Sequence, residues 1–427
     1  MALHMIDAMM VGAVSYKHLA AAALVFSVIN IPFIFGIGLT MSVSQMVSMV
    51  NGKNDDAMVS HYLFNGFWLC GAVAVAIAAG LAFNTGVLDI LRQDPEVVRL
   101  AVPFMKLMAW SIIPMLLFMT LKQFTDGLEK TRLAMLISVV SLPINLFLNW
   151  LLIYGNWGLP RLELAGAGWG TLITRIGMFG VLGIVVLTLP AFRRYTALRG
   201  DQWQLRVSTM RSLLNIGIPS GLQMGLEIGA FAVSAILIGM IDAVSLAAHQ
   251  IAISCAAFTF MVSTGLAQGG SIRTSNNFGR GDWSTIAHIG KSTLITAVVY
   301  GVACALVFAL FRMPIAHGFN SEPAVVNLAA TLLLYAAVFQ ISDATQAVGA
   351  GLLRGIKDVK VPTGLIAVAY WIVGLPSGYL LAFHFEMNAA GIWVGFILGL
   401  TFSSIVLSLR FFGRTGKRRE QPALSAK

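Results

Sequence analysis

Three carboxylates interrupt long apolar runs of this chain: Asp7 in IDAMMVG, Glu227 in GLQMGLEIGAFAV and Asp343 in FQISDATQAVGAG. An acid at bilayer depth costs at least about 2.5–3.5 kcal/mol, so its presence there points to work. The work that fits is reversible binding of a coupling cation, a proton or a sodium ion. The structural alternative is pairing with Lys106 or Arg175, the two bases that fall within apolar spans. Both are expected nearer span ends, where a long side chain snorkels to the polar boundary. Asn145 and Asn149 stand one helical turn apart and share a face. They suit a cation or substrate contact, or amide bonding between helices. His249 and Gln250 open another span; His249 serves either as a proton relay or as a packing residue.

Other chemistry is missing from the sequence. There is no phosphate-cradling Gly-rich loop of the Walker type, no His–Glu metal helix and no nucleophile elbow. The three cysteines, Cys70, Cys255 and Cys304, are far apart, with no metal or disulfide spacing. The reading is therefore not an enzyme, with no cofactor and no metal beyond transient Na+ at Glu227 and Asp343.

The elements that position these residues follow from composition. The 427 residues are 58% hydrophobic and only 11% charged, and mean hydropathy is +0.83. Soluble domains carry about 25% charged residues, so a water-facing surface and a disordered chain are both excluded. The apolar runs are long and continuous, which favours helices over the short alternating segments of a β-barrel. Eleven spans are expected at 20–50, 58–84, 98–126, 131–154, 167–190, 212–240, 245–275, 284–310, 323–351, 361–383 and 390–412. Residues 1–12 read as a twelfth that is too short, so the first helix is expected to be truncated, by roughly 15–20 residues on the usual span length. The net charge of +10 is explained by orientation rather than by nucleic acid. Of the 28 Lys and Arg, 21 sort into one set of alternate loops and five into the other. This places the stretch 191–211 and the C-terminal tail in the cytoplasm.

An internal repeat organises the spans. Residues 12–55 align without a gap on 239–282, with twelve identities in 44 positions, and Gly52-Lys53-Asn54-Asp55 falls over Gly279-Arg280-Gly281-Asp282. A second match sets Gly127 over Gly355 and Trp169 over Trp393. The shift that aligns the repeat also puts Asp7 over Ser234, two turns beyond Glu227. The expected organisation is an N-terminal six-helix bundle at 1–190, a basic linker at 191–211, a C-terminal bundle at 212–412 and a basic tail at 413–427. Duplicated parallel halves of this kind build secondary transporters.

Several segments together resemble the multidrug and toxic compound extrusion (MATE) family, in its NorM-like branch. They are IDAMMVG, FGIGLTMSVSQMVSMVNG, INLFLNWLLIYGNWGLP, IPSGLQMGLEIGAFAV, AAHQIAI, FQISDATQAVGAGLLRGIKD and YWIVGLPSGYLLA. The resemblance implies an all-α polytopic membrane protein, two six-helix bundles around a V-shaped central cleft. It implies export of organic cationic or aromatic drug-like substrates by antiport with Na+ or H+. In that branch the acids matching Glu227 and Asp343 form the cation site of the C-terminal bundle, and the acid matching Asp7 belongs to the N-terminal one. Asn145, Asn149, His249, Gln250 and Phe339 are the candidate substrate contacts. Two positions depart from the pattern. Phe339 stands where many relatives have Tyr, and Asn149 where another branch has Asp, which favours the Glu227–Asp343 pair for coupling. The expected setting is the bacterial cytoplasmic (inner) membrane, as a monomer surrounded by lipid, with no nucleic-acid partner. The alternatives are a lipid-linked oligosaccharide flippase of the same superfamily, or a non-functional truncated transporter copy. A flippase would need a cationic cleft for phosphate, and the spans offer only Lys106 and Arg175.

Overall fold

A backbone that enters lipid must satisfy its own hydrogen bonds, and a helix does so within one segment. The computed structural model describes residue 7 and residues 10–90, 94–196 and 203–425. Parts of the expected first helix (1–6, 8 and 9), of the linker (197–202) and of the tail (426 and 427) lie outside the described residues, as do the tail side chains from 419 onward. Among the described residues there is no strand, and eleven helices are long and apolar enough to cross a membrane. They are α1 Tyr16–Gly52, α2 Asp56–Phe83, α3 Pro95–Gly127, α4 Thr131–Tyr154, α5 Glu163–Thr188, α6 Val207–Gly239, α7 Ala243–Arg280, α8 Trp283–Phe319, α9 Pro323–Gly355, α10 Lys360–His384 and α11 Asn388–Ser425. Each expected span corresponds to one of these helices. Most helices outrun their apolar stretch, because polar caps carry the helical backbone past it.

The chain forms two compact units, Met1–Gly221 and Leu222–Lys427, and the division falls inside α6, downstream of the basic stretch 191–211. The first unit buries Val25, Phe104, Met105, Met108 and Leu116, contributed by α1 and α3. The second is centred on α9, whose buried Leu332, Leu333, Val348 and Leu352 pack with Trp393, Leu400 and Phe411 of α11.

The repeat is visible in each unit separately. Asp55 caps α2 by accepting from Met58 N at 3.0 Å, and Asp282 caps α8 by accepting from Thr285 N at 2.9 Å. The residue before each cap is left-handed: Asn54 at φ 57° and Gly281 at φ 75°. The short polar side chain of Asn is one of the few that enters this region at modest cost. A Cβ on Gly127 would stand 2.8 Å from Ser44 O, and one on Gly355 would stand 2.7 Å from Ser271 O. Ser44 and Ser271 are themselves a repeat pair, so the same bare backbone contact closes both units. At the opposite helix ends, Ser15 caps α1 and its repeat partner Asp242 caps α7. Hydrogen bonds from Ser245 hold the Asp242 carboxyl below the usual range, and those from Thr285 do the same for Asp282. The stabilisation from these two caps is present above the ordinary carboxylate range and is lost as pH falls through the depressed values.

Helix α10 is irregular. It contains two π-helical stretches, Val368–Gly374 and Leu380–His384, on either side of a segment that holds Pro376. Its partner α11 presents Gly391, Gly395 and Gly399 at four-residue spacing, and α10 answers with Gly374 and Gly378. Small residues at this spacing let membrane helices meet backbone to backbone. A Cβ on Gly395 would come within 2.4 Å of Gly374 O and 2.6 Å of Gly378 Cα. Gly395→Ala is therefore expected to cost about 1–3 kcal/mol through overpacking. Gly80→Ala, where an added Cβ meets nothing within 4 Å, serves as the neutral control. Thermal melts of the purified chain in detergent check the difference; equal midpoints for the two variants would refute the backbone contact.

Candidate functional site

In the second unit, Glu227 and Asp343 belong to one polar cluster. Glu227 lies two turns after Pro219 on α6 and is half-buried; Asp343 lies mid-way along α9 and is 3% exposed. Glu227 Oε1 accepts from Gln223 Nε2 and from Gln346 Nε2, each at 3.1 Å. Gln346 Oε1 in turn accepts from Ser403 Oγ of α11 at 2.9 Å. The charge of Glu227 reaches Asp343, and the charges of both reach buried Tyr370 in the first π stretch of α10. Trp371 Nε1 donates to Leu226 O at 3.2 Å and fixes that stretch beside the Glu227 turn. Among the described residues neither acid has a salt-bridge partner, although the field of buried Arg354 reaches Glu227. Glu227 served by two amides, with Asp343 buried beside it and no ion pair to either among the described residues, forms a site that an entering cation can complete.

In the first unit, Asp7 is 2% exposed. Its Oδ1 accepts from Asn149 Nδ2 at 2.5 Å and its Oδ2 from Thr171 Oγ1 at 3.2 Å. Asn149 Nδ2 also approaches Asn145 Oδ1 at 3.4 Å, and Asn145 Nδ2 approaches Thr174 Oγ1 at 3.5 Å. Asn145 and Asn149 are both fully buried on the inner face of α4. Gly170 makes this possible, since a Cβ there would stand 2.2 Å from Asn149 Oδ1. Tyr154 OH donates to Met10 O at 3.1 Å and tethers the segment that follows Asp7.

Arg175 corrects an expectation. It does not snorkel from a span end but stands in the middle of α5, 4% exposed. Its Nη1 donates to Ser111 Oγ at 2.7 Å, and its guanidinium lies 5.7 Å from the centre of the Phe33 ring. It makes no ion pair with Asp7, though its charge reaches the carboxylate. The reason is local: Ser111 of α3 supplies a buried acceptor, and the Phe33 face takes the cation. Lys106 is exposed, as a snorkelling lysine would be.

The remaining candidates lie apart from the acids' hydrogen bonds. His249 is 1% exposed, with its ring 5.8 Å from that of Trp393 and no partner at Nδ1. Phe339 is 2% exposed and packs edge-on against Phe231, Trp393 and Phe396. Gln250 is exposed. Sequence reasoning missed Gln223, Gln346, Ser403, Thr171 and Arg354. A signal existed for two of them. Gln223 precedes Glu227 by four residues and Gln346 follows Asp343 by three, spacings that share a helix face. Ser403 and Thr171 carry no such mark, and Arg354 was counted with the loops although it is buried at the last turn of α9.

Comparison with known proteins gives consistent results. The MatE family profile matches residues 1–151 and 219–380. The chain is 34% identical over 415 residues to the probable multidrug resistance protein NorM of Mesorhizobium japonicum, covering 96% of this chain and 89% of that protein. It is 32% identical over 419 residues to the multidrug resistance protein MdtK of Edwardsiella ictaluri, covering 96% and 90%. Among solved structures it resembles the eukaryotic MATE transporter AtDTX14, with TM-score 0.86, 21% identity and coverage of 98% and 94%. It also resembles an outward-facing multidrug resistance MATE family transporter of the MOP superfamily, with TM-score 0.89, 16% identity and coverage of 98% and 92%. These last two likenesses concern the fold.

The Asp7 contacts yield a direct test. Asp7→Asn and Asn149→Leu are expected to be non-additive in thermal stability, with a coupling of about 1 kcal/mol, as for contacting polar pairs. A double-mutant cycle in detergent measures it, and strict additivity would show that the 2.5 Å contact contributes nothing.

Proposed function

The chain belongs to the MatE family, and from that premise we propose that it is a secondary transporter exchanging Na+ or H+ for organic cationic or aromatic drug-like molecules. The single observation that carries this reading is the Glu227–Asp343 cluster: two carboxylates within apolar helices, Glu227 hydrogen-bonded by two amides and neither acid in a salt bridge among the described residues. A carboxylate kept at that depth without a cationic partner is retained for exchange rather than for stability. Its relatives' names as multidrug resistance proteins support the drug side of the exchange. Asp7, with Asn145, Asn149 and Thr171 around it, offers a second polar cluster in the other unit, suited to a cation or to a proton.

The mechanism follows from linkage. A coupling ion moves a drug only if the two ligands prefer different conformations of the protein. Binding of the ion neutralises the acids and favours one state; its release restores negative charge, which attracts a cationic drug and favours the other. Gln223 and Gln346 orient Glu227, and Ser403 holds Gln346. The sorting of 21 basic residues to one set of loops supports a bacterial cytoplasmic membrane setting with the 191–211 stretch and the C-terminal tail facing the cytoplasm.

The test is ethidium efflux from vesicles under an imposed sodium gradient and then an imposed pH gradient. Glu227→Gln and Asp343→Asn are each expected to reduce gradient-driven efflux to background while membrane insertion stays intact. Gln346→Leu is expected to give a partial loss, because Gln223 still donates to Glu227. Full efflux by both acid variants would remove these carboxylates from the mechanism.

A further inference from the structure

The first unit buries two charges of opposite sign that are not bonded to each other. Asp7 accepts from Asn149 and Thr171. Arg175 donates from Nη1 to Ser111 Oγ at 2.7 Å and lies 5.7 Å from the centre of the Phe33 ring. Its Nε has no partner among the described residues. The described charge that reaches Asp7 is that of Arg175, and the one that reaches Arg175 is that of Asp7. A guanidinium is a planar fork of N–H donors that matches a carboxylate, and burying one without an anion is costly. One hydroxyl and one ring face are a small return for that cost, which points to a second position for the same side chain.

Helix α5 supplies that position. Thr171, the donor to Asp7 Oδ2, stands four residues before Arg175, so the two share a face. Side chains on a helix lean toward its N-terminus, so a long side chain at 175 covers the turn that carries Thr171. The present acceptor holds the guanidinium by a lone pair alone, because Ser111 Oγ gives its own proton to Met108 O at 2.7 Å.

We propose that Arg175 is a tethered counter-cation for Asp7. When the coupling ion leaves, the guanidinium swings from Ser111 and Phe33 to the carboxylate; when the ion returns, it is displaced to them again. This rests on the reading of the Asp7 cluster as a site of cation exchange. A buried pair with no alternative would be a trap, since breaking it strands two charges. Ser111 and Phe33 give the displaced guanidinium an acceptor and an aromatic face, which lowers that barrier. The tether competes with the coupling ion and so sets the concentration at which the ion binds. It also keeps the emptied Asp7 cluster neutral, so the negative charge bared on ion release is that of Glu227 and Asp343.

Two variants act on opposite sides of this balance. Arg175→Gln removes the competitor. The concentration of driving ion, Na+ or H+, that gives half-maximal ethidium efflux from vesicles is expected to fall about tenfold, with a lower maximal rate because ion release loses its replacement. Ser111→Ala removes the alternative acceptor and favours the pair, so the same midpoint is expected to rise about tenfold. Arg175→Lys keeps the charge and is expected to move the midpoint back toward wild type. A merely structural arginine would shift both midpoints alike or neither, and either result overturns the proposal. A second measurement needs no transport. In melts of the purified chain in sodium-free alkaline detergent solution, Arg175→Gln is expected to melt below wild type, and adding Asp7→Asn to restore part of the loss; additivity of the two would overturn the pairing. The groups that bond or touch the pair, Asn149, Thr171, Ser111 and Phe33, do not titrate, so the alkaline solution acts here on Asp7. Unaltered efflux by Asp7→Asn would overturn the exchange reading of Asp7 and the proposal with it, even where the melts show the pair.

Discussion

A carboxylate surrounded by helices in lipid has few ways to be tolerated, and this molecule relies on one of them. Among the described residues, Asp7, Glu227 and Asp343 are in no salt bridge with a neighbouring base. Asp7 and Glu227 are met by neutral donors, amides and one hydroxyl, that carry no charge of their own. A salt bridge would have been a dead end, since breaking one in a buried place costs several kcal/mol. Neutral donors stabilise the anion without occupying the position of a cation. Buried Arg175 and Arg354 form no salt bridge with Asp7 or Glu227, though their charges reach these acids.

The rest of the structure serves this arrangement by bringing polar residues from separate helices to the acids. In the second unit, Glu227, Gln346 and Ser403 come from three helices, and the chain of bonds through Gln346 ties them together. The close meeting of α10 and α11 sets Tyr370 and Trp371 beside the same turn. In the first unit, Gly170 performs a comparable service by omission, giving Asn149 room to reach Asp7. The duplication did not copy these sites. It copied the scaffold: the caps at Asp55 and Asp282, the left-handed turns before them, and the bare contacts at Gly127 and Gly355. The residue that aligns with Asp7 is Ser234, which spends its hydroxyl on Ala230 O.

Much of this was legible in the sequence, and for physical reasons. Spans show themselves because twenty apolar residues in a row have few other uses. Glu227, Asp343 and Asp7 show themselves because charge in such a run is expensive. The Asn145–Asn149 pair was legible from its spacing, and the structure puts both near Asp7. What stayed hidden depends on how helices face one another. Nothing in the spacing of Thr171 announces that it meets Asp7, nor in that of Ser403 that it holds the amide serving Glu227. Arg175 was misjudged because a sequence shows that a base lies within a span, but not that a serine and a phenylalanine ring on other helices wait for it. The π stretches of α10 were equally invisible, since they arise from the fit of α10 to its neighbour.

The glycine seam between α10 and α11 also bears on how such a protein can vary over generations. Every replacement of a glycine brings in a side chain, and at Gly391, Gly395 and Gly399 the smallest one already collides with backbone atoms that cannot step aside. Lipid-facing positions a few ångströms away can wander among Leu, Ile, Val and Phe with little penalty. Inheritance at the seam therefore has no neutral first step: drift there must be paired, one helix yielding as the other grows, while the surrounding surface diverges freely.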